Sequence, residues 1–266
     1  MSAVQELLDK KCTMITEAEA PHLFETIKKI SAKANHKDAV LHEVYFINPS
    51  SGDLYDYLAG CMANGEKNVL ILGEKIRKIF NHVSPSDKIS EELEAVIAHE
   101  AGHARFRDLK SMGSHWMSFG SPLAGLLAGI GATALALHLT NKHGEDKEKQ
   151  LAELDKIKDD SVNKEDGSMK FFTTAACYLA GAAIGLGGGV QVGKILRHNM
   201  EYRADLFSAE VLQNGKPLAK ALEKLKEELS KLKEGMPSNS IADFLEGWMH
   251  PPIDKRIERL NNWSVA

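Results

Sequence analysis

Two histidines four residues apart, with a glutamate directly after the first, are the side chains of this sequence best suited to chemistry. They lie in His99-Glu100-Ala101-Gly102-His103, which has the form H-E-x-x-H. On an α-helix, residues four apart share one face, so both imidazoles can reach the same metal ion. Glu100 is rotated by about 100° from His99 and lies beside that ion, where it can act as a general base. The motif therefore predicts zinc-dependent hydrolysis.

A catalytic zinc ion usually takes three protein ligands and leaves a fourth position for water, so one more ligand is needed. The best candidate is Glu201, which begins the sequence E-Y-R-A-D. Asp205 ends this sequence and shares a helical face with Glu201. A carboxylate in that place can orient a ligating histidine. We expect one Zn²⁺ per chain, bound by His99, His103 and Glu201.

The composition is that of an ordinary folded protein, with 43% hydrophobic and 26% charged residues in a chain of 266. The net charge of −4 lacks the basic excess of nucleic-acid-binding proteins, so no nucleic-acid partner is expected. The three cysteines, Cys12, Cys61 and Cys177, are too few and too scattered for a disulfide framework or a thiolate metal cluster.

Two long segments, residues 111–141 and 171–193, carry no Asp, Glu, Lys or Arg. Each can form a helix across a hydrocarbon layer about 30 Å thick, which takes roughly 20 residues. Residues 142–170 between them are dense in charge and must be solvated. The sequence therefore predicts a transmembrane hairpin of two helices.

Small residues recur every four positions in both segments, a spacing that lets membrane helices pack closely. They are Ser121, Gly125, Gly129, Gly181, Gly185, Gly189 and Gly193. The alternative is a soluble zinc peptidase in which the two Gly-rich helices are buried.

The other patterns predict an α+β fold that is mainly helical. Helices are expected at 1–35, from the N-cap Ser90 through Arg107, at 195–213 and at 217–234; strands are expected at 40–47, 54–62 and 68–72. The zinc-site residues lie on both sides of the hairpin. Three parts are therefore expected: residues 1–115 as the N-terminal half of the catalytic domain, 116–193 as the hairpin, and 194–266 as the C-terminal half.

Three ordered motifs carry a resemblance to a known family: E-A-V-I-A-H-E-A-G-H-A-R-F-R-D at 94–108, E-Y-R-A-D at 201–205, and H-P-P-I-D-K-R-I-E-R-L at 250–260. Together they resemble the membrane gluzincins, which include the HtpX heat-shock proteases, the CAAX prenyl proteases and the OMA-type proteases. Their order, with a hairpin between the first two motifs, is most similar to the HtpX branch. The resemblance implies a zincin-like metalloprotease domain.

The resemblance also implies a role for each motif residue. His99, His103 and Glu201 would bind zinc, Glu100 would be the base, and Asp205 would support the ligands. His250 and Arg256 would lie near the bound substrate, where a donor can stabilise the oxyanion of the tetrahedral intermediate. For the last two, a structural turn with Arg256 in a salt bridge is the alternative.

The sequence departs from the HtpX pattern in two places. No further membrane helices precede the H-E-x-x-H motif, and the family's N-A-F strand is not recognisable, although residues 57–62 stand near its place. The N-terminal residues carry no signal peptide, so the catalytic domain is expected in the cytosol.

The expected function is that of a membrane-bound zinc metalloendopeptidase with two spans in the plasma or inner membrane. Polypeptides and the lipid bilayer are its expected partners, and quality control of misfolded membrane proteins is its expected role. A catalytically inactive, client-binding scaffold of the same fold is the alternative from another class.

Overall fold

The computed structural model describes residues 3–48, 59–106, 121–154, 167–233 and 250–264. These residues belong to two compact units. The first comprises the chain up to residue 114 and from 197 onward, and the second comprises residues 115–196. Each unit is described separately below.

The elements of the chain follow in order. They are α1 (Ala3–Lys11), β1 (Cys12–Ile15), α2 (Pro21–Ala34), a short 3₁₀ turn (Lys37–Ala39), β2 (Glu43–Ile47), β3 (Ala59–Asn64), β4 (Lys67–Leu72), α3 (Glu74–Ile79), α4 (Glu91–Arg105), α5 (Ser121–Leu154), α6 (Gly167–Leu212), α7 (Lys216–Lys233) and α8 (Ile253–Asn261). The first unit is therefore a mainly helical α+β domain with a small sheet.

The sheet is mixed and has the strand order β1-β2-β4-β3. Strand β2 pairs in parallel with β4, whereas β1 and β3 pair antiparallel with their neighbours. The turn from β3 to β4 is tight, since Asn64 pairs with Lys67 and Gly65 adopts a positive φ of 62°. Among the described residues, this order leaves β3 as an edge strand of the sheet.

Alternation along the strands gives the sheet two apolar faces. Val44, Phe46, Cys61, Leu70 and Leu72 join the large core that includes α2, α4 and α7. The opposite face, with Ile47, Val69 and Ile71, packs with Leu8 of α1. Helix α4 is thus enclosed by the domain, with the sheet on one side.

The predicted strands at 40–47 and 68–72 are confirmed, as β2 and β4, and residues 59–62 of the third prediction lie in β3. Residues 54–58 lie outside the described residues. Ser90 is the N-cap of α4, and its side chain accepts a hydrogen bond from the Leu93 N–H at 3.3 Å.

The predicted helix over residues 1–35 is wrong in its middle. Residues Cys12–Ile15 form strand β1, because their backbone pairs with β2 from Cys12 opposite Ile47 to Ile15 opposite Val44. Pairing with a distant strand overrides the local helical spacing of apolar residues.

In the second unit, α5 and α6 approach each other through glycines. A Cβ atom added at Gly125, Gly129, Gly181 or Gly185 would clash with atoms of the facing helix. Both helices extend into the charged segment, since α5 continues to Leu154 and α6 begins at Gly167. Residues 142–154 and 167–170 of the charged segment are therefore helical.

One helix among the described residues is long and apolar enough to cross a membrane. This stretch of α6, Thr174–Leu212, has 39 residues and a mean hydropathy of 1.4 in its most apolar window. Helix α5 contributes a shorter apolar stretch, Leu123–Leu139. The predicted pair of membrane spans remains a prediction.

His82 is a fully buried polar side chain in the first unit. Its ring lies edge-on to Phe46, with 6.0 Å between the centroids, and the Arg77 guanidinium lies 4.1 Å from the centroid of Phe46. Burial and the Arg77 charge lower the pKa of His82, against the opposing charge of Asp87. The folded state therefore favours the neutral imidazole.

We predict that His82 makes the fold sensitive to acid. An unfolded chain has a histidine pKa of about 6.5, so below that pH the unfolded state binds more protons than the folded state. Stability conferred by the neutral ring is present above this pH and is lost as the pH falls. The melting temperature of the purified wild type should drop more between pH 7.5 and 5 than that of His82→Phe. The exposed His22→Gln control should keep the wild-type dependence; parallel curves for wild type and His82→Phe would contradict the assignment.

Candidate active site

Helix α4 carries the H-E-x-x-H residues in the interior of the domain. Its small residues Ala95, Ala98 and Ala101 are fully buried, which lets neighbouring elements approach the helix on several sides. His99 and Glu100 are each 7% exposed. Polar groups at that depth need partners.

Helix α6 brings the third candidate ligand to α4 by close packing. A Cβ atom at Gly102 would lie 3.0 Å from Cα of Ala204 and 3.1 Å from a ring carbon of Phe207. Next to this contact, the Ser208 hydroxyl donates a hydrogen bond of 2.8 Å to the Ala95 carbonyl. Because Gly102 has no side chain, the two helix backbones can approach closely enough for Glu201 to reach the histidines.

Three ligand atoms converge between α4 and α6. One atom each from His99, His103 and Glu201 lies within 4.8 Å of the other two. Nε2 of His99 is 3.2 Å from Nε2 of His103, and the Glu201 oxygens are 3.7 Å and 3.5 Å from these nitrogens. Two imidazoles and one carboxylate are a donor set that catalytic zinc sites use, so these residues fit a zinc ion.

Asp205 lies behind the first histidine, one turn after Glu201. Its Oδ1 is 3.0 Å from Nδ1 of His99, whereas Nε2 of the same ring faces Glu201. A carboxylate on the far nitrogen fixes the ring orientation of a metal-ligating histidine. The sequence prediction that Asp205 stands behind a ligand is consistent with this position.

Arg256 is buried and engaged by carboxylates. Its Nε and Nη2 donate to Asp205 at 2.8 Å and 2.6 Å, and Nη1 lies 3.1 Å from Oε2 of Glu201. Burial alone would raise the pKa of Asp205, but the charges of Arg256 and His99 hold it below its usual range. The charge of Arg256 thus favours the ionised form of Asp205.

His250 approaches the same carboxylate from the start of the third motif. Its Nδ1 is 3.1 Å from Oε2 of Glu201, and its side chain is 49% exposed. Burial would raise the pKa of Glu201, but the hydrogen bond to His250 and the charges of His99 and Arg256 hold it well below its usual range. Six of the seven residues singled out in the sequence, all except Glu100, are therefore joined by these contacts into one cluster.

Glu100 has a partner that the sequence did not suggest. Its Oε2 accepts a hydrogen bond of 2.8 Å from the backbone N–H of Cys61 in β3. A backbone donor leaves no trace in residue types, since every residue except proline carries one. Only the predicted strand at 54–62, near the place of the family's N-A-F strand, pointed to this part of the chain.

Comparisons with known proteins identify the family of this chain. Residues 17–264 match the model of peptidase family M48, and the chain belongs to that family. It is a metallopeptidase, and therefore a hydrolase with polypeptide substrates. M48 peptidases are zinc enzymes.

One relative is a protein from Syntrophobacter fumaroxidans that is named protease HtpX homolog. It is 26% identical over 260 residues, which cover 93% of this chain and 78% of the relative. No solved structure matches the chain. The resemblance found in the three motifs is confirmed.

We predict that Gly102→Val weakens metal binding although it replaces none of the seven residues singled out in the sequence. The added side chain pushes α6 away from α4 and moves Glu201 from the histidines. The zinc affinity of the purified protein should fall by at least about tenfold, the lower range for lost support of metal ligands. Gly131→Val is the matched control, because Gly131 also lies within a helix but faces open space. Equal zinc affinities of the two variants, measured by competition with a chelating dye, would contradict the prediction.

Proposed function

We propose that this metallopeptidase is a membrane-bound zinc endopeptidase, in which His99, His103 and Glu201 hold one Zn²⁺ per chain. The convergence of these three ligand atoms, with the non-ligating carboxylate of Glu100 on the same helix, carries the proposal. A bound zinc ion supplies a Lewis acid that polarises the scissile carbonyl and lowers the pKa of water to about 7.

Glu100 is the proposed general base. It accepts a proton from the attacking water and returns it to the leaving amine, a pair of transfers that one carboxylate can perform. Because Glu100 is only 7% exposed, bulk water has little access to its carboxylate and competes weakly with the attacking water.

His250 and Arg256 take different roles in this proposal. The Arg256 guanidinium faces Asp205 and Glu201, so it positions the third ligand and its neighbour. His250 is half-exposed, so it remains accessible to substrate and is the donor for the oxyanion. Asp205 orients His99.

Substrate is proposed to bind as an added strand along β3. This strand is an edge of the sheet and contacts α4, which carries the base. Since strand amides alternate in direction, Ala59 and Ala63 direct their N–H and C=O groups to the same side as Cys61. Binding through backbone groups suits a protease that acts on many sequences.

The two helices of the second unit are proposed to form a membrane hairpin over residues 116–193. Large apolar side chains are exposed on both α5 and α6. They are Leu123, Leu127, Leu135, Leu139, Leu179, Ile184 and Leu186. A lipid layer would cover this surface, and the glycine contacts would join the helices within it.

The remaining proposals follow from this arrangement and from the similarity to HtpX-type proteases. Residues 1–115 and 194–266 form the two halves of a catalytic domain on the cytosolic side of the plasma or inner membrane. Its substrates are misfolded membrane proteins, which it removes in proteolytic quality control.

The peptidase proposal predicts that Glu100→Gln is inactive while it still binds zinc. Loss of a general base lowers kcat by about 10²–10⁴-fold. Cleavage of casein by detergent-solubilised protein is the measurement, with and without a zinc chelator. Glu91→Gln, in the exposed first turn of α4, is the control and should match the wild type. If Glu100→Gln cleaves casein at the wild-type rate, the proposed mechanism is wrong. A wild type that binds no zinc and does not cleave casein would favour the catalytically inactive, client-binding scaffold.

The membrane proposal predicts that the wild type stays in the pellet after an alkaline carbonate wash. Ile184 is 76% exposed. Ile184→Lys would place a charge within the proposed span, at a cost in insertion free energy of about 2.5–3.5 kcal/mol. This variant should lose part of its membrane-bound fraction. Leu206→Lys, at a 46% exposed residue of the first unit, should remain bound like the wild type. Release of the wild type into the supernatant would favour a soluble peptidase.

A further inference from the structure

We propose that the backbone N–H of Cys61 is a positioning group that holds the carboxylate of Glu100 in place for catalysis. This inference rests on the proposed peptidase function and adds a residue outside the three motifs. It assigns to β3 a part in the chemistry as well as in substrate binding.

The geometry of the hydrogen bond supports this role. The Cys61 nitrogen lies 2.8 Å from Oε2 of Glu100, and the two residues are 4% and 7% exposed. Hydrogen bonds to an ionised acceptor are roughly twice as strong as those between neutral groups. Water cannot easily replace the donor at this depth, so the bond holds one of the two carboxylate oxygens.

The N–H group of Cys61 is not used in the pairing of β3 with β4. Cys61 stands opposite Leu70 in the antiparallel pair of β3 and β4, but its N–H is directed to Glu100 on α4. In such a pair, alternate residues direct their N–H and C=O groups away from the partner strand. The donor is therefore an outward group of the edge strand, fixed in direction by the pairing of its neighbours.

The position of the carboxylate matters because a glutamate has three rotatable side-chain bonds. A fixed donor removes orientations in which the base would face away from the substrate. Displacing a reacting group by about 1 Å can lower the rate by about 10²-fold. The bond to Cys61 thus couples the base to the strand along which substrate is proposed to lie.

The thiol of Cys61 has no part in this role. Its side chain joins the apolar core beneath the sheet. Burial, together with the charge of Glu100, raises the pKa of the thiol, so it stays protonated at neutral pH. The backbone group is what acts.

Two substitutions at one position separate the N–H from the side chain. Cys61→Ala and Cys61→Pro both lose the thiol, but only proline loses the N–H, and edge strands tolerate proline at outward positions. With a quenched casein peptide as substrate, kcat of Cys61→Pro should be about 10²-fold below that of Cys61→Ala. Zinc content should be equal.

Ala63→Pro controls for a proline on the same edge, two residues along the strand. Ala63 is proposed to contact substrate, so this variant should raise KM more than it lowers kcat. A fall in kcat confined to Cys61→Pro supports the inference. Equal kcat values for Cys61→Pro and Cys61→Ala overturn it, while the peptidase proposal stands as long as the wild type needs zinc and Glu100.

Cys61→Pro would be judged misfolded if it binds no zinc and melts below Ala63→Pro. In that case, amide hydrogen exchange tests the bond between the Cys61 N–H and Glu100. The Cys61 amide should exchange slowly in the wild type and at least tenfold faster in Glu100→Ala, whereas the Ala63 amide should change little. An unchanged rate at Cys61 overturns the inference. A wild type without zinc-dependent cleavage instead refutes the proposed function.

Discussion

The close packing of α4 against α6 is the constraint on which the site depends. Two zinc-type ligands lie on one helix and the third on another, and only a short distance between the backbones lets their side chains converge. Gly102 packs against Ala204 and makes this short distance possible. The buried alanines of α4 let the other neighbouring elements approach the helix. Within the H-E-x-x-H motif, Gly102 thus has a structural role, whereas the histidines and Glu100 carry the side chains suited to chemistry.

Buried charge is the second theme of this domain. Glu201 and Asp205 are both below 10% exposure, and each is paired with Arg256 or with a histidine. Such groups are costly to bury, and removing one partner leaves an uncompensated charge. This cost in folding free energy is accompanied by fixed geometry. Arg256 binds both carboxylates and so fixes the distance between them.

The candidate side chains of the site could be named from the sequence, because ligand chemistry restricts residue types and helical spacing restricts their positions. His99, His103 and Glu201 could be named for this reason. Strand β1 could not, since its structure comes from pairing with β2 rather than from its own four residues. The donor to Glu100 was equally hidden, because a backbone amide is the same in every residue except proline. The membrane hairpin inferred from the two charge-free segments stays a prediction.

The proposed binding of substrate along the edge strand β3 has a consequence for which polypeptides the enzyme would accept. An open strand edge can pair with any extended chain, including the edge of another copy. Among the described residues this edge is six residues long, it ends in a tight turn, and the amide of Cys61 is already occupied by a carboxylate. Long flat strands of intact sheets find too few donors to pair with it. Short extended segments, which polypeptides expose when they lose their structure, fit the groups that remain.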